Sequence, residues 1–293
     1  MSDVDRRALV GLAYRMLGSL TEAEDIAQEA LLRWHQYPDK HAVQSPKAFI
    51  ERVAARLCLD RLKSARARRE VYVGPWLPEP LLDDEGMQPD AERLSELASD
   101  LSVALLLTLE RLSPLERAAF VLHDVFDTDW PDVASTLGRS EPACRQLASR
   151  ARQRVREEHR RFHPSQETRE RVMEAFAGAL ATGDTASLAS LLAEDVVFVS
   201  DGGGHVRAAL KPVHGRDRVT RLVFGLYTKG NMAEGFAFRA ARINGLAGII
   251  VEQHGEPLQA AAFDIDEDAS IQAIYVVVNP EKLRHLARLR DDP

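Results

Sequence analysis

Cysteine, long apolar runs and glycine-rich phosphate loops are scarce or missing in this sequence, and each absence removes a class of protein. Among 293 residues there are two cysteines, Cys58 and Cys144. They lie far apart without metal-ligand spacing, so neither a disulfide scaffold nor a metal site is expected, and no cofactor is implied. Both read as reduced, buried thiols. No signal-peptide apolar segment opens the chain and no run is long enough to cross a bilayer, which predicts a cytoplasmic protein without a membrane partner. A P-loop is also missing, so ATP-dependent activator chemistry is not expected. Internal repeats and low-complexity tracts are absent.

With 45% apolar residues the chain can bury several cores, and its length suits two or three small domains. The net charge of −7 conceals an uneven distribution. Residues 45–70 carry eight Lys/Arg against three Asp/Glu, and residues 138–161 repeat that surplus of five positive charges. Between them, residues 71–110 hold one Arg and nine Asp/Glu. Two basic patches separated by an acidic connector suit contact with nucleic-acid phosphates at two places.

Apolar residues recur at helical spacing from Val4 to Ala65: Leu9, Leu12, Ala13 and Met16, then Ala23, Ile26, Ala27, Ala30, Leu31 and Trp34. Thr21 is expected to cap the second helix, with Glu24 closing a capping box. Tyr37 to Ser45 reads as a loop, and Ser45-Pro46 opens a third helix. From Val71 to about Glu92, prolines, glycines and acidic residues predict an irregular linker. Helices resume from Ala91 to Leu112 and continue, after a Ser113 cap with Pro114 and Glu116, to about Phe162. Beyond Pro164 come helices at about 167–181 and 185–193. Strand-like runs follow at Val196–Ser200, Phe236–Ile243, Gly248–Gln253, Ala260–Ile265 and Ile271–Val278. Helices followed by antiparallel strands indicate an α+β domain.

The sharpest local motif spans residues 130–156. Trp130-Pro131-Asp132 opens a short helix ending at Leu137-Gly138, and Ser140 precedes a longer one that begins Glu141-Pro142. Ala143, Leu147, Ala148, Ala151 and Val155 form its inward stripe. Arg145, Gln146, Ser149 and Arg150 are placed to reach base edges, and Arg139, Arg152 and Arg154 to hold phosphates. A helical hairpin with a basic surface would give the same local pattern. In the third helix Arg52, Arg56, Lys63 and Arg66 form a basic stripe. The second helix shows Glu22, Asp25, Gln28 and Glu29 on a polar, acidic face suited to a basic protein partner.

In their order, Ala23 to Ala30, Ser45 to Leu62, Leu112 to Arg117 and Ser140 to Arg154 resemble an extracytoplasmic-function (group 4) sigma factor of RNA polymerase over residues 5–160. The resemblance implies an alternative sigma factor that directs core RNA polymerase to promoter DNA, and not an enzyme. Asp25, Gln28 and Glu29 would meet the clamp helices of the beta-prime subunit, and the beta subunit is a further implied partner. The loop from Tyr37 to Ser45, with Arg56, Asp60, Arg61, Lys63 and Arg66, would read the −10 element by capturing a flipped base. Arg139, Ser140, Glu141, Arg145, Gln146, Ser149, Arg150 and Arg152 would read the −35 element.

The chain continues about 130 residues beyond these segments, enough for another domain. That extension resembles the SnoaL-like branch of the NTF2-like fold. Trp76-Leu77-Pro78-Glu79-Pro80, Asp201-Gly202-Gly203-Gly204 and Asn279-Pro280-Glu281-Lys282-Leu283 together resemble the sigma-factor subgroup with such a domain fused. The implied organisation is two all-α sigma domains and a cone-shaped α+β domain: 1–70 (region 2), 71–94 (linker), 95–162 (region 4 helix-turn-helix) and 163–293 (SnoaL-like). Regulation in cis is implied, through Trp76, Leu77, Pro78, Asp201, Gly202, Gly203, Gly204, Asn279, Pro280 and Lys282, with no separate anti-sigma protein required. Trp76 is expected to anchor the linker in an apolar recess. His205 stands where the subgroup often has Lys. A cone-shaped cavity leaves room for a small-molecule ligand, and Asp195, Asp201, His205 and His214 are the groups available for a rival catalytic role. A transcription factor that binds DNA without polymerase is the third reading; it would not require the acidic helix.

Overall fold

The computed structural model describes residues 6–69, 72–82, 103–158, 164–230 and 236–288. The chain divides into two compact units: residues 1–71 with 104–160, and residues 72–103 with 161–293.

The first unit is helical. Helix α1 (Arg6–Leu17) buries Leu9, Leu12, Ala13 and Met16 against α2 (Leu20–Gln36), whose inward face is Ala23, Ile26, Ala27 and Ala30. The cap of α2 is Ser19 and not Thr21. Gly18, at φ 69°, ends α1 two residues before α2 starts, so the Ser19 hydroxyl accepts from the Glu22 amide at 3.2 Å. Helix α3 (Pro46–Arg69) starts on a Ser45 cap that accepts from the Ala48 amide, and packs Ile50, Ala54, Cys58 and Leu62 into the three-helix core. Cys58 and Cys144 are both free and buried.

Helix α4 (Val103–Arg111) leads to α5 (Pro114–Phe120), which has the full Ser113–Glu116 capping box. The expected helical stretch before Val103 lies outside the described residues, as does residue 83 onward in the linker. A π-helical turn (Val121–Val125) connects α5 to α6 (Trp130–Leu137), and left-handed Gly138, φ 62°, turns the chain into α7 (Glu141–Glu158). Cys144, Ala148 and Ala151 are fully buried where α7 crosses α5 and α6. Their small volume permits the close crossing.

The second unit is a six-stranded sheet with helices on it. It opens with α8 (Gln166–Thr182) and α9 (Thr185–Ser190), capped by Ser165 and Asp184. Then come β1 (Leu192–Asp201), β2 (Val213–His214), α10 (Arg216–Gly230), β3 (Phe236–Ile243), β4 (Leu246–Gln253), β5 (Glu256–Ile265), β6 (Ile271–Val277) and α11 (Pro280–Arg288). The spatial order is β2-β1-β6-β5-β4-β3. The sheet is mixed rather than antiparallel: β1 and β6 run parallel, since the β3–β4–β5 meander brings the chain back to the end of the sheet where β1 began. Helices α10 and α11 were not expected from the sequence. Val219, Leu222, Val223 and Leu226 nevertheless repeat at helical spacing, and Pro280 is a favourable first helical residue.

The register aligns the apolar residues into rungs. Phe198, Ile274 and Phe263 lie side by side across β1, β6 and β5; Val276, Ala261 and Ile249 do so across β6, β5 and β4. These face α8 and α10, and Phe176 of α8 meets Phe263 edge-on at 5.0 Å. Gly248 is required on the opposite face of β4, where a Cβ would stand 2.7 Å from the Ala261 carbonyl oxygen and 2.6 Å from Ile243 Cδ1. Because a backbone oxygen cannot move aside, Gly248→Ala is expected to cost about 1–3 kcal/mol, read as a lower Tm of the intact protein.

Candidate nucleic-acid interface

In the first unit the acidic face of α2 points to solvent. Asp25 and Gln28 are exposed, Glu29 is half-buried and accepts from Arg33 at 2.8 Å, and exposed Leu32 completes the i, i+3, i+4, i+7 stripe. Around the loop after α2, Trp34, Tyr37 and Phe49 form an aromatic cluster with Tyr37 and Phe49 centroids 4.7 Å apart, and Lys40 lies over Trp34. Sequence reasoning passed over this cluster, although three aromatics within sixteen residues mark it. On α3, Arg56, Asp60 and Lys63 are exposed, with Lys63 donating to Asp60 at 2.9 Å, and half-buried Arg61 lies 3.9 Å from Glu22. Arg66 lies further along the helix, where side chains are outside the description.

On α7, Arg145, Gln146, Ser149 and Arg150 are exposed, with Arg139 and Ser140 exposed just before it. Glu141 is half-buried and holds Arg145 at 2.9 Å, while the Arg145 guanidinium lies 5.4 Å from the Trp130 ring centroid. Arg152, expected to hold phosphates, is half-buried at the surface and its guanidinium donates to Asp124 at 2.5 Å. The buried stripe runs through Cys144, Ala148 and Ala151, which leaves Arg152 at its margin.

The basic stripe and the helix-turn-helix meet within this unit. Arg52 reaches Asp132 at 3.2 Å, and Arg56 donates to the Ser135 and Thr136 carbonyls at the C-terminal end of α6. Arg117 of α5, 3% exposed, donates to the Met16 carbonyl near the end of α1 and to Glu110 at 2.9 Å. Burial pushes its pKa down to about 10, so it remains charged at neutral pH. Cations at helix C-termini satisfy the orphan carbonyls of those last turns.

In the second unit, residues 72–82 are held by a buried carboxylate. Asp201, 0% exposed, accepts from the Tyr72 hydroxyl at 2.6 Å, the Leu77 amide at 2.8 Å and the Gly203 amide at 3.0 Å, and pairs with Lys282 at 2.7 Å. Lys282 also donates to the Leu77 carbonyl and lies 4.3 Å from the Trp76 ring centroid. Asn279 donates to Tyr72 at 3.1 Å and packs against Gly203, where a Cβ would fall 2.2 Å from its amide nitrogen. Gly203, at φ 60°, is therefore required twice over, while at Gly202 a Cβ would meet the Val206 carbonyl oxygen at 2.3 Å. Burial, followed by the bond to Asp201, raises the Tyr72 pKa and keeps its hydroxyl a donor.

The expected anchor is displaced by one residue. Trp76 is half-buried and covers Lys282, whereas Leu77 is the residue sunk in the core, at 1% exposure, with Leu81 beside it. A tryptophan over an ammonium satisfies the cation through its ring face. Pro78 is buried within the docked segment, and Pro280 opens α11. Leu81 exchanges two hydrogen bonds with Asn244, and His285 contacts the Pro80 carbonyl at 2.6 Å. Asn244 and His285 were missed because nothing local in sequence marks them. His205 stays outside the network, exposed and 3.7 Å from Glu281.

Of the four groups considered for catalysis, Asp201 is committed to the linker and Asp195, His205 and His214 are exposed. None of them lines the cavity of this unit. The described residues hold no cluster of metal-ligating side chains, and no described helix is long and apolar enough to cross a membrane.

Two helical modules, the second a helix-turn-helix with exposed arginines, and a separate α+β unit define a multidomain DNA-binding protein. The Sigma-70 region 2 family matches residues 4–68, and the family described as Sigma-70, region 4 matches residues 102–155. Across 94% of this chain and 90% of its relative, the sequence is 36% identical to the ECF RNA polymerase sigma factor SigJ of Mycobacterium tuberculosis (strain ATCC 25618 / H37Rv). It is also 36% identical, over 64% of each chain, to the probable ECF RNA polymerase sigma factor SigI of Mycobacterium tuberculosis (strain CDC 1551 / Oshkosh). The crystal structure of the Mycobacterium tuberculosis extracytoplasmic function sigma factor SigJ matches with a TM-score of 0.75 at 34% identity, covering 95% of both chains. The chain belongs to the extracytoplasmic-function sigma factors of RNA polymerase. It is an alternative sigma factor that binds core RNA polymerase and promoter DNA for transcription initiation, and it is not an enzyme.

The Asp201 network sets its own test. Lys282→Met would leave a buried carboxylate without its cation, a change worth about 3–5 kcal/mol, and Leu77→Ala would remove about 2–5 kcal/mol of packing. Both are expected to speed hydrogen exchange at the Leu77 and Leu81 amides while leaving exchange in α1–α3 unchanged.

Proposed function

We propose that this sigma factor is regulated in cis by its C-terminal unit, acting through the linker. The carrying observation is the grip of Asp201, Lys282 and Asn279 on residues 72–82. That segment belongs to the tether between the two DNA-binding modules, and while it is held the tether is shorter. A sigma factor must place region 2 on the −10 element and region 4 on the −35 element together, so tether length enters directly into the free energy of promoter binding. The same job falls to a separate anti-sigma protein in other members of the family; here the device is covalently attached and no second protein is required.

The domains of this reading are region 2 in residues 1–70, the linker in 71–94, region 4 in 95–162 and the SnoaL-like regulatory domain in 163–293. Asp25, Gln28, Glu29 and Leu32 dock on the clamp helices of the beta-prime subunit, with the beta subunit a second contact, in the cytoplasm where the polymerase works. Arg56, Asp60, Arg61, Lys63 and Arg66 serve the −10 element, and a flipped base stacks in the aromatic cluster of Trp34, Tyr37 and Phe49. Arg139, Ser140, Glu141, Arg145, Gln146, Ser149, Arg150 and Arg152 serve the −35 element, Arg152 from its tether to Asp124. The ion pair from Arg52 to Asp132 and the bonds from Arg56 to the end of α6 hold two arginines of α3 on protein. Promoter binding has to exchange these contacts for phosphate.

The test is in vitro transcription with core polymerase on a genomic promoter library. Wild type, Leu77→Ala and Lys282→Met are expected to share start sites but to differ several-fold in transcript yield. Equal yields would remove the linker grip from regulation. On one such promoter, Arg145→Ala is expected to weaken binding by about 1–3 kcal/mol and relax the −35 preference, measured by competition against base-substituted sites. Arg139→Ala is expected instead to weaken all sequences alike and to lower the salt slope of binding by about one.

A further inference from the structure

We infer that the C-terminal unit carries a binding site for a neutral, mainly apolar ring compound bearing one hydroxyl or carbonyl group. Between the sheet and helices α8 and α10 lies a cavity of about 360 Å³. At roughly 30 Å³ per water-sized group it accommodates on the order of a dozen non-hydrogen atoms, the size of a two-ring molecule. The strand register builds its walls: Phe198, Ile274 and Phe263 form one rung, and Val276, Ala261 and Ile249 the next.

Three features define the occupant. First, among the described residues no acidic, basic or histidine side chain lines the cavity. A charged ligand would be desolvated there without a counter-charge, so the site selects neutral molecules. Second, the described lining has two polar side chains, Gln259 opposite Val251 on β5 and Tyr227 on α10. The Gln259 amide offers both a donor and an acceptor, which suits one hydroxyl or carbonyl on an otherwise apolar body. Third, the cavity has an apolar rim. Leu226 and Phe238 line it and are 48% and 47% exposed, with the Tyr227 and Phe238 rings 5.9 Å apart. Exposed large apolar side chains at a cavity mouth are costly in water and are explained by a guest that passes or covers them.

The site is distinct from the linker grip. Phe198 faces the cavity and Asp201, three residues along the same regular strand, points from the opposite face of the sheet. The cavity chemistry also separates this site from the Asp/His catalysis considered for related folds, since binding here needs no titrating group.

Titration of the full chain with 2-naphthol, 2-methylnaphthalene and 2-naphthalenesulfonate, followed by ligand fluorescence and calorimetry, tests the inference. The expected result is saturable one-to-one binding of 2-naphthol, weaker binding of 2-methylnaphthalene, and binding of the sulfonate weaker by roughly tenfold or more. Ile249→Trp, which fills the cavity from the middle of β4, is expected to abolish binding. Gln259→Leu keeps the volume and is expected to erase the preference for 2-naphthol over 2-methylnaphthalene, so the result does not depend on one variant folding. No saturable binding of 2-naphthol up to its solubility, equal affinity for the sulfonate, or unchanged affinity in both folded variants would overturn it.

Discussion

A carboxylate with no access to solvent organises the C-terminal half of this sigma factor. Asp201 sits at the end of β1 with four donors converging on it, from Tyr72, Leu77, Gly203 and Lys282. A buried charge is tolerable only when paired and fully hydrogen-bonded. Two of those donors, Tyr72 and Leu77, come from the segment 72–82, so the carboxylate is satisfied only while that segment is docked. The other conditions follow from that arrangement. Gly202 and Gly203 must lack side chains so that Val206 and Asn279 can approach, and the Trp76 ring lies over the Lys282 ammonium.

The sheet carries this network on one face and an apolar cavity on the other, by simple alternation along β1 and its neighbours. One side of β1 presents Phe198 to the cavity and the other presents Asp201 to the linker. Both faces are thereby buried, which accounts for the low polarity of β5 and β6, where Ala260 to Ile265 and Ala273 to Val277 are buried without interruption. In the helical unit the governing constraint is of a different kind: arginine side chains bind the carbonyls of helix ends. Arg117 does so near the end of α1 and Arg56 at the end of α6. A guanidinium presents several donors in a planar fork, which suits the cluster of unpaired carbonyls at a helix end.

Much of the helical architecture was legible because helices write their faces and caps into nearby residues. The stripe Leu9, Leu12, Ala13 and Met16, the Ser113–Glu116 box and the Leu137–Gly138 stop are all local signals. Where two local signals competed, the reading slipped. Thr21 with Glu24 mimicked a cap that belongs to Ser19, because only the left-handed turn at Gly18 decides where the helix starts. The strand runs were legible from alternation and β-branched content, but the parallel pairing of β1 with β6 was not, since strand direction depends on a connection of some seventy residues.

By itself the sequence determined the order of the modules, the two basic patches with their acidic connector, and the family to which the chain belongs, because each is carried by short, contiguous runs of residues. The three motifs Trp76–Pro80, Asp201–Gly204 and Asn279–Leu283 were visible as separate words, but their joining at one carboxylate was decided by the tertiary structure. The same holds for Leu77 rather than Trp76 as the buried anchor, for the tether of Arg152 to Asp124, and for the absence of charge from the described cavity lining. Each of these is set by which atoms of distant segments come within bonding distance, and that is a property of the packed sheet and helices that local spacing along the chain does not contain.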